Sequence, residues 1–309
     1  MSRDNRSGEG RVASARRTDG AALGAFHFDR PVVTHPKWPI WARILVLPVA
    51  MIAGQFSPGV WTLIPGLSEF SQRERTNLAV QIPLGMLLLA TATALSLLVV
   101  WLLVRFVDGM RLRDIGLHWD RRTLPTLAIG YAAALVIVVP VGLALQAAGM
   151  TRPAVSSGLP LWADFVQSGI TLALLFQGFP EELYWRGYGI AVLRDHPVRA
   201  VWITAALFGV MHLISAGGQQ NTLERVAYLA TPFGFALLAG ALALVYRSVW
   251  PAVGVHAGNH LGNFIIQRLG VGDSPYVWMV VGLIMTIVAV VILQRWAAGR
   301  NLSPRPAGA

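Results

Sequence analysis

The chain has 309 residues, of which 55% are hydrophobic and 13% are charged, and its formal net charge at pH 7 is +10. Soluble domains carry about 25% charged residues, so this composition excludes an ordinary soluble protein and indicates one that crosses a membrane several times. The sequence contains no cysteine, which excludes disulfides, thiolate nucleophiles, cysteine zinc sites and iron–sulfur clusters. Most of the excess positive charge falls in the tails and short loops, where it indicates membrane topology, and we expect no nucleic-acid partner.

The two ends of the chain are polar. Residues 1–38 are rich in Arg, Gly and Ser and lack the hydrophobic core of a signal peptide, so we predict a disordered, basic cytoplasmic tail. Residues 299–309 are predicted to form a second cytoplasmic tail. Between the tails we divide the chain into N-terminal transmembrane helices, residues 39–159, and a helical core with the last helix, residues 160–298.

Eight apolar stretches between the tails are long enough to cross a bilayer as helices. They lie at residues 41–65, 79–105, 124–149, 160–193, 198–216, 226–246, 250–268 and 276–296. The sequence therefore predicts an all-α, polytopic transmembrane helical bundle of about eight spans. The loop between the second and third spans, residues 108–122, carries many charges, and we expect it to be solvated.

The basic residues predict how the bundle is oriented. With a cytoplasmic N-terminus, nineteen Arg and Lys residues fall on the cytoplasmic side and five on the other, in agreement with the positive-inside rule. Both termini are then cytoplasmic, which agrees with an even number of spans. The 24 arginines against one lysine are typical of a GC-rich bacterial genome, so we expect a multi-pass protein of the bacterial inner (plasma) membrane.

Charged residues within the predicted spans are few, and three of them are close together. Glu181, Glu182 and Arg186 fall within six residues of an otherwise apolar segment. A charge near mid-bilayer costs a few kcal/mol, so such residues indicate a functional site. Pro180 predicts a break in the helix, with both glutamates in the first turn of the next helix. Broken helices at membrane depth face protein or a water-filled cavity.

The spacing of the three charged residues suggests separate roles. Glu182 and Arg186 are four residues apart, so they can pair on one face of a helix. Glu181 points about 100° away from Glu182, which leaves it as the candidate reactive carboxylate, with Glu182 and Arg186 as structural support. The alternative is a buried ion pair that only fixes helix packing.

Three histidines also fall within the predicted spans. His212 lies in the fifth span, where a single histidine is more often a packed core residue than a catalyst. The seventh span places four polar residues on one helical face, with i, i+3, i+4 and i+7 spacing: His256, Asn259, His260 and Asn263. The same span carries a row of small residues that lets another helix approach closely: Gly254, Gly258 and Gly262.

These side chains together suggest hydrolysis of a peptide bond without a covalent nucleophile. A buried carboxylate can take a proton from water, and a neighbouring histidine can share that task. Imidazole and carboxamide groups can donate hydrogen bonds to a developing oxyanion. Partner residues for a serine dyad or an aspartyl protease are not evident. The GxGD pattern at residues 270–273 has its aspartate in a predicted loop, and we interpret it as chance.

The motifs resemble those of the CPBP family, which includes the type II CaaX prenyl endopeptidases and bacterial Abi proteins linked to bacteriocin processing or self-immunity. The family pattern is EExxxR, then FxxxH, then HxxxN on successive membrane helices. The matching residues are Glu181, Glu182 and Arg186 in the first motif, Phe208 and His212 in the second, and His256 in the third. The resemblance covers roughly residues 160–268 and makes residues 160–298 the candidate catalytic core.

The resemblance implies an intramembrane glutamic endopeptidase that acts, in the lipid bilayer, on a peptide or membrane-protein substrate that is membrane-associated or lipidated. Glu181 and His212 would activate water, while His256 and the amide that follows it would stabilise the oxyanion. The sequence departs from the family at that amide, because His260 stands four residues after His256. The candidates for the role of the amide are Asn259, His260 and Asn263.

Cofactor use and catalytic competence are left open by the sequence. No cofactor is expected, although four residues could together bind zinc: Glu181, His212, His256 and His260. The chain could also be a non-catalytic family member that acts as a membrane scaffold or bacteriocin self-immunity protein. A haem-binding or proton-coupled membrane carrier is a third alternative, since histidines can ligate haem and membrane glutamates can relay protons.

Overall fold

A computed structural model describes residues 36–215 and 217–301 of the chain. These residues form helices joined by loops, with one isolated β-bridge between Pro153 and Val271. The prediction of an all-α fold is therefore confirmed.

We label the helices of the described residues α1 to α10 in chain order. They are α1 Ile40–Phe56, α2 Leu67–Arg73, α3 Leu78–Leu102, α4 Thr123–Ala147, α5 residues 161–192, α6 Pro197–Met211, α7 Thr222–Tyr228, α8 Ala230–Tyr246, α9 Trp250–Arg268 and α10 Pro275–Asn301. Three of the helices continue into a short segment of different winding. These segments are the 3₁₀ turns Ser57–Leu63 after α1 and His212–Ile214 after α6, and the π-type turn Leu103–Val107 after α3.

The predicted tails fall almost entirely outside the described residues. Of the N-terminal tail, only residues 36–38 are described, and they precede α1. At the other end, α10 continues to Asn301, past the boundary that we predicted at residue 298.

By length and composition, six helices of the described residues can cross a membrane. They are Ile40–Leu63, Leu78–Val107, Thr123–Ala147, Pro197–Ile214, Thr222–Tyr246 and Pro275–Gly299. Each coincides with one of the eight predicted stretches. The other two stretches form α5 and α9, and their charged, His, Asn and Gln side chains make them less apolar. The chain is thus a multi-pass membrane protein, and the predicted count of eight spans is not confirmed.

Helix α5 continues through the proline where the sequence predicted a break. A single α-helical turn, Phe179–Glu182, lies between two stretches of wide π-type turns, Phe165–Gly178 and Leu183–Gly189. Gly178 itself has helical angles, φ −59° and ψ −52°. Wide turns shift hydrogen bonding to the fifth residue and occur often at functional sites. The carbonyl oxygen of Leu175, five residues before Pro180, accepts a hydrogen bond from Thr93 Oγ1 of α3. The helix therefore continues through Pro180, and the prediction of a break was wrong.

The glycine row of α9 packs directly against α4, as its small residues predicted. A Cβ atom added to Gly254 would collide with the backbone oxygen of Leu127. One added to Gly258 would lie 2.9 Å from the Cα atom of Tyr131. The two backbones therefore touch along this seam, which fixes the direction in which the polar face of α9 points.

The second half of α5 lies inside the bundle, and its residues 180–192 are all buried. Helices α1, α3, α6 and α9 contact α5 around its circumference. The glutamates of α5 are thereby brought close to the His and Asn face of α9 and to the end of α6.

Candidate active site

The two glutamates of α5 are buried, with exposed fractions of 3% for Glu181 and 0% for Glu182. The Glu182 Oε1 atom accepts a hydrogen bond from Arg186 Nη1 at 3.2 Å, and Oε2 lies 3.2 Å from Arg186 Nε. The guanidinium group also lies over the ring of Phe208 in α6, 4.6 Å from the ring centroid. This pair, which the spacing predicted, therefore links α5 to α6.

The carboxylate of Glu181 is held by a residue that sequence reasoning missed. Its Oε1 atom accepts a hydrogen bond of 2.7 Å from Nε2 of Gln55 at the end of α1. Its Oε2 atom is buried and has no hydrogen-bond partner among the described residues. One oxygen is thus fixed and the other is available. The only hint of Gln55 in the sequence was a lone amide near the end of an apolar stretch, far from every motif.

The imidazole ring of His256 in α9 lies between the two glutamates. Its Nδ1 atom lies 2.9 Å from Glu182 Oε1, and its Nε2 atom lies 3.9 Å from Glu181 Oε2. Because Glu182 also pairs with Arg186, we assign Glu182 as the acceptor and Nδ1 as the donor. The Nε2 atom of a neutral His256 then carries a lone pair on the side of Glu181.

His212 lies where α6 passes into the turn His212–Ile214, and its ring is fixed by the backbone. Its Nδ1 atom lies 2.8 Å from the carbonyl oxygen of Phe208. A carbonyl oxygen can only accept, so Nδ1 carries the proton and Nε2 of the neutral ring is a proton acceptor.

The remaining polar residues of α9 face the same space. The rings of His256 and His260 are stacked, with centroids 5.2 Å apart and an angle of 18° between their planes. Asn259 is 5% exposed, and its Oδ1 atom has no hydrogen-bond partner among the described residues. Asn259, His260 and Asn263 all line one cavity, so the packing brings every candidate for the third-motif amide to the site.

Two cavities meet at the candidate reactive residues. We call the first, of about 360 Å³, the polar cavity. Its polar lining includes Gln177, Glu181, His212, His256, Asn259, His260, Asn263 and Asp273. We call the second, of about 220 Å³ between α1 and α6, the apolar cleft, and its lining includes Met51, Ile52, Phe56, Met211 and Ile214. Glu181, Gln177 and His212 line both, so they stand at the junction.

The aspartate of the GxGD pattern lies closer to the site than we expected. Asp273 is in the loop between α9 and α10, as predicted, but it also lines the polar cavity. Burial raises the pKa of this carboxyl, and the charge of Arg152 opposes that shift. No second aspartate lines the cavity among the described residues, which is consistent with our interpretation of the pattern as chance.

The residues considered for zinc are close together without forming a recognisable metal site. No group of three or more His, Asp or Glu side chains within residues 36–215 and 217–301 is arranged to hold a metal ion. Two potential ligand atoms already have partners, since His212 Nδ1 contacts Phe208 and His256 Nδ1 contacts Glu182. Binding of zinc stays an untested alternative.

Comparison with known protein families gives a match to the part of the chain that carries the motifs. Residues 165–262 match the family described as type II CAAX prenyl endopeptidase, Rce1-like. The match covers about a third of the chain and supports a likeness of this segment to the CPBP/CAAX protease family. This finding confirms the resemblance drawn from the motifs, and it supports a peptidase in general terms. Comparison with curated proteins gives no match.

The matched segment contains the motif residues but leaves out three other residues of the site. The glutamates, Arg186, His212 and the polar face of α9 as far as Asn259 and His260 fall inside residues 165–262. Gln55, Asn263 and Asp273 lie outside it, so the family match gives no role to these three residues.

Proposed function

We propose that this protein is an intramembrane glutamic endopeptidase, which hydrolyses a peptide bond of a membrane-associated or lipidated substrate with water activated by Glu181 and His212. The observation that carries the proposal is the unpartnered Oε2 atom of Glu181, at the junction of the two cavities. A buried carboxylate oxygen left without a donor is costly unless a ligand or water uses it.

The two residues offer two proton acceptors for one water molecule. Water placed between Glu181 Oε2 and His212 Nε2 donates a hydrogen bond to each, which turns a lone pair of its oxygen toward a substrate carbonyl carbon. As the new C–O bond forms, the proton of water passes to Glu181. When the C–N bond breaks, Glu181 gives that proton to the leaving amine, and the site returns to its initial state.

The developing oxyanion needs a hydrogen-bond donor, and the geometry favours the amide of Asn259 over His256. In the tautomer assigned above, neutral His256 presents a lone pair at Nε2 and cannot donate there. The buried Asn259 carries an NH2 group, and His260 stacks on His256 at the same cavity. We therefore propose Asn259 and His260 as the donors, with His256 positioning Glu182.

Glu182 and Arg186 act as support in this account. Their contacts join α5 to His256 of α9 and to the Phe208 ring of α6. This network holds the three motif helices in one arrangement, and catalysis depends on such fixed geometry.

The two cavities suggest which part of a substrate binds in each of them. The apolar cleft lies between α1 and α6, where Ile52, Phe56 and Ile214 are exposed on the surface of the bundle. It suits the hydrocarbon part of a lipidated peptide or the end of a membrane helix. The polar cavity suits the peptide backbone, which needs hydrogen-bond partners in a membrane. The scissile bond would then lie at the junction.

The membrane orientation is also a proposal. We infer that both termini are cytoplasmic in a bacterial inner membrane, because nineteen basic residues fall on that side and five on the other. Cysteine labelling from either side of the membrane, with single cysteines introduced at residues 2 and 309, tests this arrangement.

A cleavage assay tests the proposed activity. The purified protein in detergent is incubated with a quenched, lipidated peptide, with and without a metal chelator. The proposal expects cleavage that the chelator does not affect. Loss of activity with the chelator would instead support the zinc alternative. Absence of cleavage across a varied peptide set would favour the non-catalytic family role.

A further inference from the structure

A basic pocket lies in the connection between α3 and α4, away from the candidate active site. Its volume is about 520 Å³. Three arginines and two tryptophans line it, namely Arg105, Arg111, Arg113, Trp101 and Trp119. Apolar side chains complete the lining, and these include Val104, Met110, Leu112 and Leu117. The pocket thus combines cationic groups with an apolar surface.

The three arginines of this basic pocket are not paired with nearby carboxylates. None of its three arginine side chains forms an ion pair within the described residues. The acidic residues of the loop have other contacts. Asp108 is buried and pairs with Arg43 at 2.5 Å. Asp114 accepts a hydrogen bond from the backbone N–H of Arg111, and Asp120 lies 3.5 Å from His118 Nε2.

The pocket lies where one candidate membrane span ends and before the next begins. Arg105 lies in the last turns of the span Leu78–Val107, and the next span begins at Thr123. Trp101 is 43% exposed, and Trp119, 70% exposed, packs edge to face on another tryptophan, Trp250. Tryptophan is enriched at the membrane–water interface, where the phosphates of lipids lie.

We propose that the basic pocket binds the phosphate group of an anionic phospholipid. Arginine guanidinium groups make strong, charge-assisted hydrogen bonds to phosphate, and basic pockets beside transmembrane helices bind anionic headgroups. The apolar lining receives the glycerol and the first part of the acyl chains. The loop at residues 108–122, which we expected only to be solvated, therefore has a ligand. This inference does not depend on the proposed peptidase activity.

Native mass spectrometry of the detergent-purified protein with added phospholipid tests this proposal. Phosphatidylglycerol is compared with phosphatidylcholine for the wild type, for Arg111→Gln/Arg113→Gln and for the matched control Arg73→Gln/Arg75→Gln. The control pair is also exposed and lies just before α3. The wild type and the control are expected to prefer phosphatidylglycerol, while the pocket variant binds it about 30-fold more weakly.

A further variant and a competition experiment distinguish a defined lipid-binding site from non-specific attraction between the arginines and an anionic lipid. Arg111→Lys/Arg113→Lys keeps the charge, so it should retain phosphatidylglycerol binding within about threefold of the wild type. Equal binding of the two lipids by the wild type, or an equal loss in the pocket and control variants, would overturn the proposal. Displacement of phosphatidylglycerol by millimolar inorganic phosphate would assign the pocket to free phosphate and would also overturn it.

Discussion

His212 Nδ1 lies 2.8 Å from the carbonyl oxygen of Phe208, the residue one helical turn before it in α6. The ring of the same Phe208 supports the Arg186 guanidinium group, 4.6 Å from its centroid. One residue therefore fixes the tautomer of His212 through its backbone and contacts the ion pair of α5 through its side chain. The contact between His212 and the Phe208 carbonyl agrees with the four-residue spacing of the FxxxH motif, because the imidazole of a helical residue can reach the backbone carbonyl one turn earlier.

Replacement of the Phe208 ring separates these two contributions. Phe208→Leu keeps the carbonyl that holds His212 and removes the support of Arg186. We expect the free energy of unfolding to fall by about 1–3 kcal/mol, while residual cleavage persists. The measurement is chemical unfolding in detergent. Phe233→Leu is the control, because that ring is half-buried beside Trp202 and does not contact Arg186. Equal destabilisation of both variants would contradict the expectation.

Gln55 is predicted to position Glu181 for catalysis. Gln55→Met has nearly the same volume and cannot donate to Glu181 Oε1. Hydrogen bonds to charged groups contribute about 1.5–3 kcal/mol, so we expect kcat to fall about tenfold or more with little change in KM. Steady-state cleavage of the lipidated peptide measures both constants. Gln72→Met, an exposed substitution in α2, should leave both constants unchanged. A change in KM alone for Gln55→Met would assign Gln55 to substrate binding instead.

Removal of Arg186 is predicted to be more damaging than removal of the whole ion pair. Arg186→Met leaves the buried carboxylate of Glu182 without its cation, at a cost of about 3–5 kcal/mol. Glu182→Gln/Arg186→Met removes both charges and should recover part of that loss. Thermal unfolding of the two variants and the wild type tests this order. If Arg186→Met were as stable as the wild type, the supporting role of the pair would be excluded.

The seam between α4 and α9 gives a prediction about packing. Gly254→Ala places a methyl group against the backbone oxygen of Leu127, and one helix must then move. Overpacking of this kind costs about 1–3 kcal/mol, and cleavage should fall because α9 carries His256. Gly59→Ala is the control, since nothing lies within 4 Å of the added atom. Comparable behaviour of the two variants in unfolding and cleavage would contradict a tight seam.

Much of the site could be predicted because charged and polar side chains are rare in a membrane segment. The spacing of Glu182 and Arg186, and the polar face of α9, follow from helical periodicity alone. Gln55 could not be found in this way, since a single amide in an apolar helix resembles many packed residues. Its contact with Glu181 depends on how α1 docks against α5, which no local pattern encodes.

The remaining differences have local causes. Pro180 predicted a broken helix, but the helix continues because Thr93 of α3 donates a hydrogen bond to the carbonyl of Leu175, and no local sequence pattern encodes this contact between helices. The predicted count of eight spans and the six candidate spans of the described residues differ for a local reason as well. The polar residues that form the site also make α5 and α9 less apolar, so these two helices, which we predicted as spans, are not among the six described helices that are long and apolar enough to cross a membrane.

Substitution of Glu181 by glutamine tests the central claim most directly. Glu181→Gln preserves the size of the side chain and removes the carboxylate that takes the proton from water. Cleavage of the quenched, lipidated peptide is compared for this variant, the wild type and Glu69→Gln, which changes an exposed glutamate in α2. We expect a loss of about 100-fold to 10,000-fold for Glu181→Gln and wild-type activity for Glu69→Gln. Wild-type cleavage by Glu181→Gln would contradict the proposed mechanism.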